Sequence, residues 1–226
     1  MNSKIIVSGS SSLEIRSKIK EALTGRKIVF HILPLSFDEI LYKDQLCQQL
    51  LKSPAQEIIA NFASYEQIWG KKLLNLLEQY LIYGGYPRIL LTDQIEKKKQ
   101  FLNEIYTSYI QKDITDFLKI ENVTGFNKFI QYIALTTGQV INKSELCLKT
   151  GLSHRTLDKY LQVLQDTFII ENIQPYFSNK LKEITKNPKL YFLDTGIRNS
   201  IISNFNPMAA LIASIVVKIL PPCPYK

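Results

Sequence analysis

Hydrophobic residues recur at helical spacing over most of the chain. Leucines and tyrosines form one stripe over residues 71–82, and a longer stripe runs from Gln94 to Leu118, so both segments are predicted helices. Ser36-Phe37-Asp38-Glu39 has the Ser-x-x-Glu pattern of a capping box and predicts another helix start. Gly84 and Gly85 precede Pro87 and predict the end of the helix over residues 71–82. The pattern is typical of a mainly α protein.

Two short apolar runs near the N-terminus have strand character. Residues 4–8 and 28–33 flank a helix predicted to begin near Leu13 and to end at Gly25. Strand–helix–strand is the unit of a parallel α/β sheet. Because two parallel strands alone cannot cover their faces, the pattern predicts part of a larger sheet.

The segment 123–200 has a different order of elements. A helix through Phe126 and Ile133 is followed by a short helix capped by Asn142 or Ser144 and a third capped by Ser153. Strand-like runs at 168–173 and 189–193 come next. Three helices and a β-hairpin in this order predict a winged helix-turn-helix.

In helix-turn-helix proteins the second helix of the pair enters the major groove. The spacing places five polar side chains on its outward face: His154, Arg155, Asp158, Lys159 and Gln162. Arg155 could contact guanine edges or phosphates, and Asp158 interrupts the basic face. Lys180 and Lys182, in the loop between the strands, could follow the DNA backbone. Winged helices also serve as protein-interaction or intramolecular packing units, so both interpretations stay open here.

Charge and composition narrow the choice of partners and sites. The 226 residues carry 28 basic and 20 acidic groups, a net charge of +8, which permits a nucleic-acid partner. Three cysteines and two histidines exclude a disulfide framework and a zinc site. The most apolar run, residues 208–220, is shorter than a bilayer span, so we expect a cytoplasmic protein with no membrane partner.

Catalytic signatures are absent from these residues. There is no Gly-x-x-x-x-Gly-Lys-Ser/Thr, no Gly-x-Ser-x-Gly and no His-Glu-x-x-His. We therefore predict no catalytic residue and no metal site in this chain.

Six landmarks carry a resemblance to a known family over residues 3–205. In chain order they are Val7-Ser8-Gly9-Ser10-Ser11-Ser12, Leu23-Thr24-Gly25-Arg26, Leu33-Pro34-Leu35-Ser36-Phe37-Asp38-Glu39, Tyr83-Gly84-Gly85-Tyr86-Pro87, Tyr109-Ile110-Gln111-Lys112-Asp113-Ile114 and Tyr191-Phe192-Leu193-Asp194-Thr195-Gly196. With them the sequence resembles a prokaryotic family of AAA-like P-loop ATPases fused to a C-terminal domain of unknown function.

The resemblance implies a nucleotide site that this chain only partly contains. Ser10 resembles the sensor-region hydroxyl and Arg26 an arginine near the nucleotide, while the Walker motifs that bind ATP and Mg²⁺ lie upstream in the family. A nuclease-like domain follows the winged helix in the family. The resemblance thus implies a fragment, or a truncated product, that does not hydrolyse ATP alone and holds no cofactor by itself.

The predicted fold is α+β, mainly α with a small β part. It comprises a remnant of the ATPase sheet (1–40), a helical linker (41–122), the winged helix (123–200) and a tail (201–226). The leading functional hypothesis is a fragment of an AAA-like ATP-binding protein. The alternatives are a DNA-binding or regulatory winged-helix module and a non-functional product. Expected partners are double-stranded DNA, a second copy of the chain, or an intact ATPase chain.

Overall fold

A computed structural model describes residues 28, 30–43, 48, 52–114, 120, 122–176 and 187–206. This part of the chain is mostly helical and contains one two-stranded antiparallel sheet. The prediction of a mainly α fold with a small β part is confirmed.

The described part of the chain before residue 115 is mainly helical. Its elements are α1 (Phe37–Lys43), α2 (Ala55–Ala60), α3 (Phe62–Tyr65), π1 (Glu66–Gly70), α4 (Lys71–Tyr83), α5 (Pro87–Leu90), α6 (Ile95–Ile105) and π2 (Tyr106–Asp113). The capping box is confirmed, since the Ser36 N–H donates to Glu39 Oε2 over 2.8 Å and the Glu39 N–H donates to Ser36 Oγ over 3.3 Å. The helix predicted over residues 71–82 is confirmed as α4. Gly84 ends it with a φ of 77°.

Wide π-helical turns interrupt both long helical stretches. π1 joins α3 to α4 without a break, and π2 continues α6 up to Asp113. The helix predicted from Gln94 therefore forms, but its second half is π-helical, and residues 115–119 lie outside the described residues. The apolar stripe tolerates this change because Tyr106, Ile110 and Ile114 still face the core.

The second half contains the helices and the hairpin that the pattern predicts. The elements are α7 (Val123–Leu135), α8 (Lys143–Thr150), α9 (His154–Asp166), β1 (Ile170–Ile173), β2 (Lys189–Phe192) and α10 (Thr195–Ile201). Asn142, and not Ser144, caps α8. Ser153 caps α9, because its Oγ accepts from the Thr156 N–H over 3.2 Å.

The sheet is tied to the helices before it. β1 pairs with β2 from Ile170 opposite Phe192 to Ile173 opposite Lys189. On the other side of β2, Val140 forms a bridge with Lys189, and the Gly138 N–H donates to the Leu190 carbonyl over 2.7 Å. The segment between α7 and α8 thus lies against the hairpin.

The strand predicted over residues 28–33 is wrong where the structure describes it. Residues 28 and 30–33 adopt no strand, and Phe30 and Ile32 are 82% and 96% exposed. A strand needs a neighbour for its backbone hydrogen bonds, and the described part of the chain supplies none at this position. The other strand of the predicted pair, at residues 4–8, lies outside the described residues.

One hydrophobic core joins the helical elements before residue 122 to those after it. Ile89, Leu102 and Ile110 contribute from the first group, and α7, α9 and α10 contribute from the second. Its largest fully buried rings in the second group are Phe126 and Phe129, which pack against Tyr160 of α9. The position of α9 is therefore fixed by packing against α7.

Candidate functional site

The outward face of α9 carries the residues that the sequence singled out for nucleic-acid binding. His154, Arg155 and Lys159 are exposed, while Leu157, Leu161 and Leu164 on the opposite face are buried. Tyr160 meets the Phe126 ring edge-on at 5.2 Å, which holds the buried face against α7. The predicted orientation of this helix is confirmed, and the structure brings these three basic side chains together on one face.

The acidic side chain on this face, Asp158, is paired with a lysine of α8. Lys143 Nζ lies 2.7 Å from Asp158 Oδ1, which bridges α8 and α9. Within α8, Lys149 Nζ lies 2.8 Å from Glu145 Oε1, and its hydrogen bond holds the pKa of Glu145 below the ordinary value. The charge of Asp158 is thus partly compensated by Lys143. Arg155, in contrast, forms no ion pair with any described residue.

The other predicted site residues cannot be placed in the structure. Ser10, Arg26, Lys180 and Lys182 lie outside the described residues. Their roles in nucleotide and DNA binding stay predictions.

A buried polar junction at Asp194 is a feature that the sequence pattern did not reveal. Asp194 is 4% exposed and precedes α10. Its Oδ1 accepts from the Ile197 N–H over 2.9 Å and caps α10, and its Oδ2 accepts from the Gly85 N–H over 2.7 Å. One carboxylate therefore joins the N-terminus of α10 to the turn that ends α4.

Side chains of α10 satisfy the carbonyls at the ends of two other helices. Thr195 Oγ1 donates to the Tyr80 carbonyl over 3.0 Å, and Asn199 Nδ2 donates to the carbonyls of Leu81 and Ile82 over 3.1 and 2.9 Å. The last four carbonyls of a helix have no partner within it, so these contacts cap α4.

Arg198 makes the equivalent contact to α7. Its Nε donates to the Ala134 carbonyl over 2.9 Å, where its charge also complements the helix dipole. Burial lowers the pKa of Arg198. α10 is thereby a hub that fastens α4 and α7 together.

Glycines make the close approach at this hub sterically possible. A Cβ at Gly196 would overlap the Tyr83 carbonyl, and a Cβ at Gly85 would overlap the Leu35 carbonyl. Three of the landmark motifs, which contain Leu35, Gly85 and Asp194, thus meet at one point. Both Asp194 oxygens are occupied by N–H donors, and no metal-ligand cluster is present among the described residues. The junction is suited to holding helices together.

Two family models match separate parts of the chain. Residues 1–41 match the family model of an AAA domain, and residues 74–208, more than half of the chain, match that of a domain of unknown function, DUF8612. The chain belongs to the DUF8612 family. The two matches confirm that part of the resemblance which joins an AAA-like segment to a domain of unknown function. The DUF8612 domain includes α10, Asp194 and the two residues whose N–H groups Asp194 accepts from, Gly85 and Ile197.

Relatives are known from distant microbes. An uncharacterized protein of Haemophilus influenzae is 23% identical over 89% of this chain and 46% of its own length. An uncharacterized protein of Methanocaldococcus jannaschii is 28% identical over 84% of this chain and 41% of its own length. The chain therefore spans less than half the length of these relatives. No solved structure matches it.

No helix among the described residues is both long enough and apolar enough to cross a bilayer.

Proposed function

We propose that this chain is part of an AAA-like ATP-binding protein and that its segment 123–200 is a winged helix that binds duplex DNA through α9. The observation that carries the proposal is the basic outward face of α9, formed by His154, Arg155 and Lys159. A helix held by one buried face, with Arg155 and Lys159 on the other, suits the major groove.

The topology supports the winged-helix interpretation. α8 and α9 are joined by a short turn in which Gly151 adopts the left-handed conformation, with a φ of 71°. The hairpin follows α9 directly and pairs with the segment at Val140. Helices and hairpin therefore form one packed unit, as a winged helix requires.

The charges on this unit support a phosphate-rich partner. Asp158 is paired with Lys143 across the two helices, so it opposes an incoming phosphate less than a free carboxylate would. Arg155 has no ion-pair partner among the residues that the structure describes. Its guanidinium can therefore form bidentate contacts with a guanine edge or a phosphate.

Duplex binding should depend on Arg155 and Lys159. We expect Arg155→Ala and Lys159→Ala each to weaken duplex affinity at low salt by about tenfold, which corresponds to about 1.4 kcal/mol. Each loss should also lower the slope of log K against log salt by about one unit. Fluorescence anisotropy with a labelled duplex, measured from low to moderate salt, gives both quantities.

Lys97→Ala is the matched control, because Lys97 is an exposed lysine on α6, outside the proposed winged helix. It should leave the affinity unchanged. Unchanged binding by both α9 variants would rule out this face as the DNA site. If Lys97→Ala weakened the affinity equally, the binding would be a general charge attraction and not a contact made by α9.

The nucleotide part of the proposal rests on the AAA match and on the resemblance. We propose that Ser10 and Arg26 belong to a nucleotide site that requires the Walker motifs of the complete protein to bind ATP and Mg²⁺. Arginine stabilises the charge that develops on transferring phosphoryl oxygens. The 226 residues contain no Walker A pattern to hold those phosphates.

The purified chain should accordingly show no ATP hydrolysis above the background of a buffer control. A coupled phosphate-release assay with wild type and Arg26→Ala makes this measurement. Hydrolysis by the wild-type chain that persists in Arg26→Ala would contradict the assignment of Arg26 and the proposed need for the Walker motifs.

A further inference from the structure

The segment that ends the AAA match contacts the DUF8612 domain directly. The AAA match ends at residue 41, and the DUF8612 domain begins at residue 74. The Leu35 N–H nevertheless donates to the Gly85 carbonyl over 2.8 Å, a hydrogen bond from one matched region to the other.

Gly85 lies between this segment and α10. Its carbonyl accepts from Leu35, and its own N–H donates to Asp194 Oδ2 over 2.7 Å. The approach is close, because a Cβ at Gly85 would overlap the Leu35 carbonyl. A single residue, Gly85, thus connects the AAA-type segment to the carboxylate that caps α10.

Among the residues that the structure describes, a few further contacts hold residues 30–43 in place. The His31 ring lies 4.8 Å from the Phe168 ring, and the Phe37 ring lies 5.6 Å from the Tyr80 ring. Leu41 is buried, but Phe30 and Ile32 are almost fully exposed. No residue of this segment belongs to the main hydrophobic core of the described residues.

Release of the segment would therefore leave the rest of the fold intact. It breaks one backbone hydrogen bond to Gly85 and uncovers Tyr80, but the caps that Thr195, Arg198 and Asn199 supply to α4 and α7 stay in place. Segments with few buried apolar contacts open at a lower free energy than the core.

We infer that residues 30–43 form a detachable joint through which the AAA-type part docks on the DUF8612 domain. The backbone hydrogen bond from Leu35 to Gly85 is the central contact of this joint. The joint has two states, docked and released, and the domain is folded in both. This inference goes beyond DNA binding and does not depend on it, since it concerns how the two matched regions are held together.

Amide hydrogen exchange of the full chain tests the joint. In the wild type, the amides of α1 should exchange at least tenfold faster than those of α7 and α10, after correction for intrinsic rates. Phe37→Ala should speed exchange in α1 by roughly a further tenfold, because the partly buried ring no longer packs on Tyr80. Exchange in α7 and α10 should not change.

Phe62→Ala is the control, since Phe62 is a largely exposed phenylalanine on α3. It should leave α1 exchange unchanged. Equal protection of α1, α7 and α10 in the wild type would overturn the inference, because the segment would then open only when the whole chain unfolds. Two results for Phe37→Ala would also overturn the inference. One is exchange that becomes faster in α7 and α10 by as much as in α1, and the other is exchange in α1 that does not change.

Discussion

Replacement of Asp194 by alanine should lower the free energy of unfolding by roughly 2–4 kcal/mol. Loss of a helix N-cap costs about 1 kcal/mol, and a buried N–H left without an acceptor costs about 1–3 kcal/mol. Asp194→Ala incurs both losses, at Ile197 and at Gly85. Chemical denaturation followed by circular dichroism at 222 nm measures the change.

Asp194→Asn makes this prediction more specific. An amide has a single oxygen, so it can accept from either the Gly85 N–H or the Ile197 N–H, and its own N–H₂ then faces the other donor. We expect the near-isosteric asparagine to recover little of the lost stability. Asp93→Ala, at an exposed position before α6, should change the stability by less than about 0.5 kcal/mol. Equal losses at Asp194 and Asp93 would show that the junction does not hold the fold together.

Gly196→Ala should be the second most damaging substitution, with a loss of about 1–3 kcal/mol or more. Its Cβ would overlap the Tyr83 carbonyl and press on the Gly84 nitrogen, and both are backbone atoms that cannot rotate away. α10 would have to shift from the end of α4 and weaken the Thr195 and Asn199 caps. Thermal and chemical denaturation report this loss.

Gly70→Ala provides a control with the opposite sign. Gly70 is also helical, but a Cβ there would meet only the Glu66 side chain, at 3.4 Å. Alanine should therefore stabilise the chain by about 0.5–1 kcal/mol, the usual gain when it replaces a helical glycine. Similar changes in both variants would mean that helix propensity, and not the contact with Tyr83, governs position 196.

Local features of the fold could be predicted from the sequence because their causes lie within a few residues. The capping box at Ser36, the cap at Ser153 and the stop at Gly84 each depend on neighbours in the chain. The apolar stripe of α9 also placed Arg155 and Lys159 outward correctly. The strand at residues 28–33 failed for the opposite reason, since a strand depends on a partner that local pattern does not reveal.

The Asp194 junction could not be predicted because its parts are distant in the sequence. Gly85 and Asp194 are 109 residues apart, and the glycine pair could be interpreted only as a helix stop. The signal that could have revealed it is the polar run Asp194, Thr195, Arg198 and Asn199 within an otherwise apolar stretch. Polar groups at that density in a buried segment require partners, which here are the carbonyl ends of other helices.

The ion pair between Lys143 and Asp158 likewise could not be predicted from the local sequence pattern. In sequence Asp158 only interrupts a basic face, whereas the structure shows its charge compensated from the neighbouring helix. The helix-turn-helix geometry creates that contact, so it becomes visible only after α8 and α9 are packed.

DNA binding by α9 can be measured by mapping amide chemical shifts as duplex DNA is added to the ¹⁵N-labelled chain at low salt. Shifts should be concentrated in residues 153–162, should be strongest at Arg155 and Lys159, and should disappear at high salt. Shifts confined to other elements, or none at all at low salt, would contradict it.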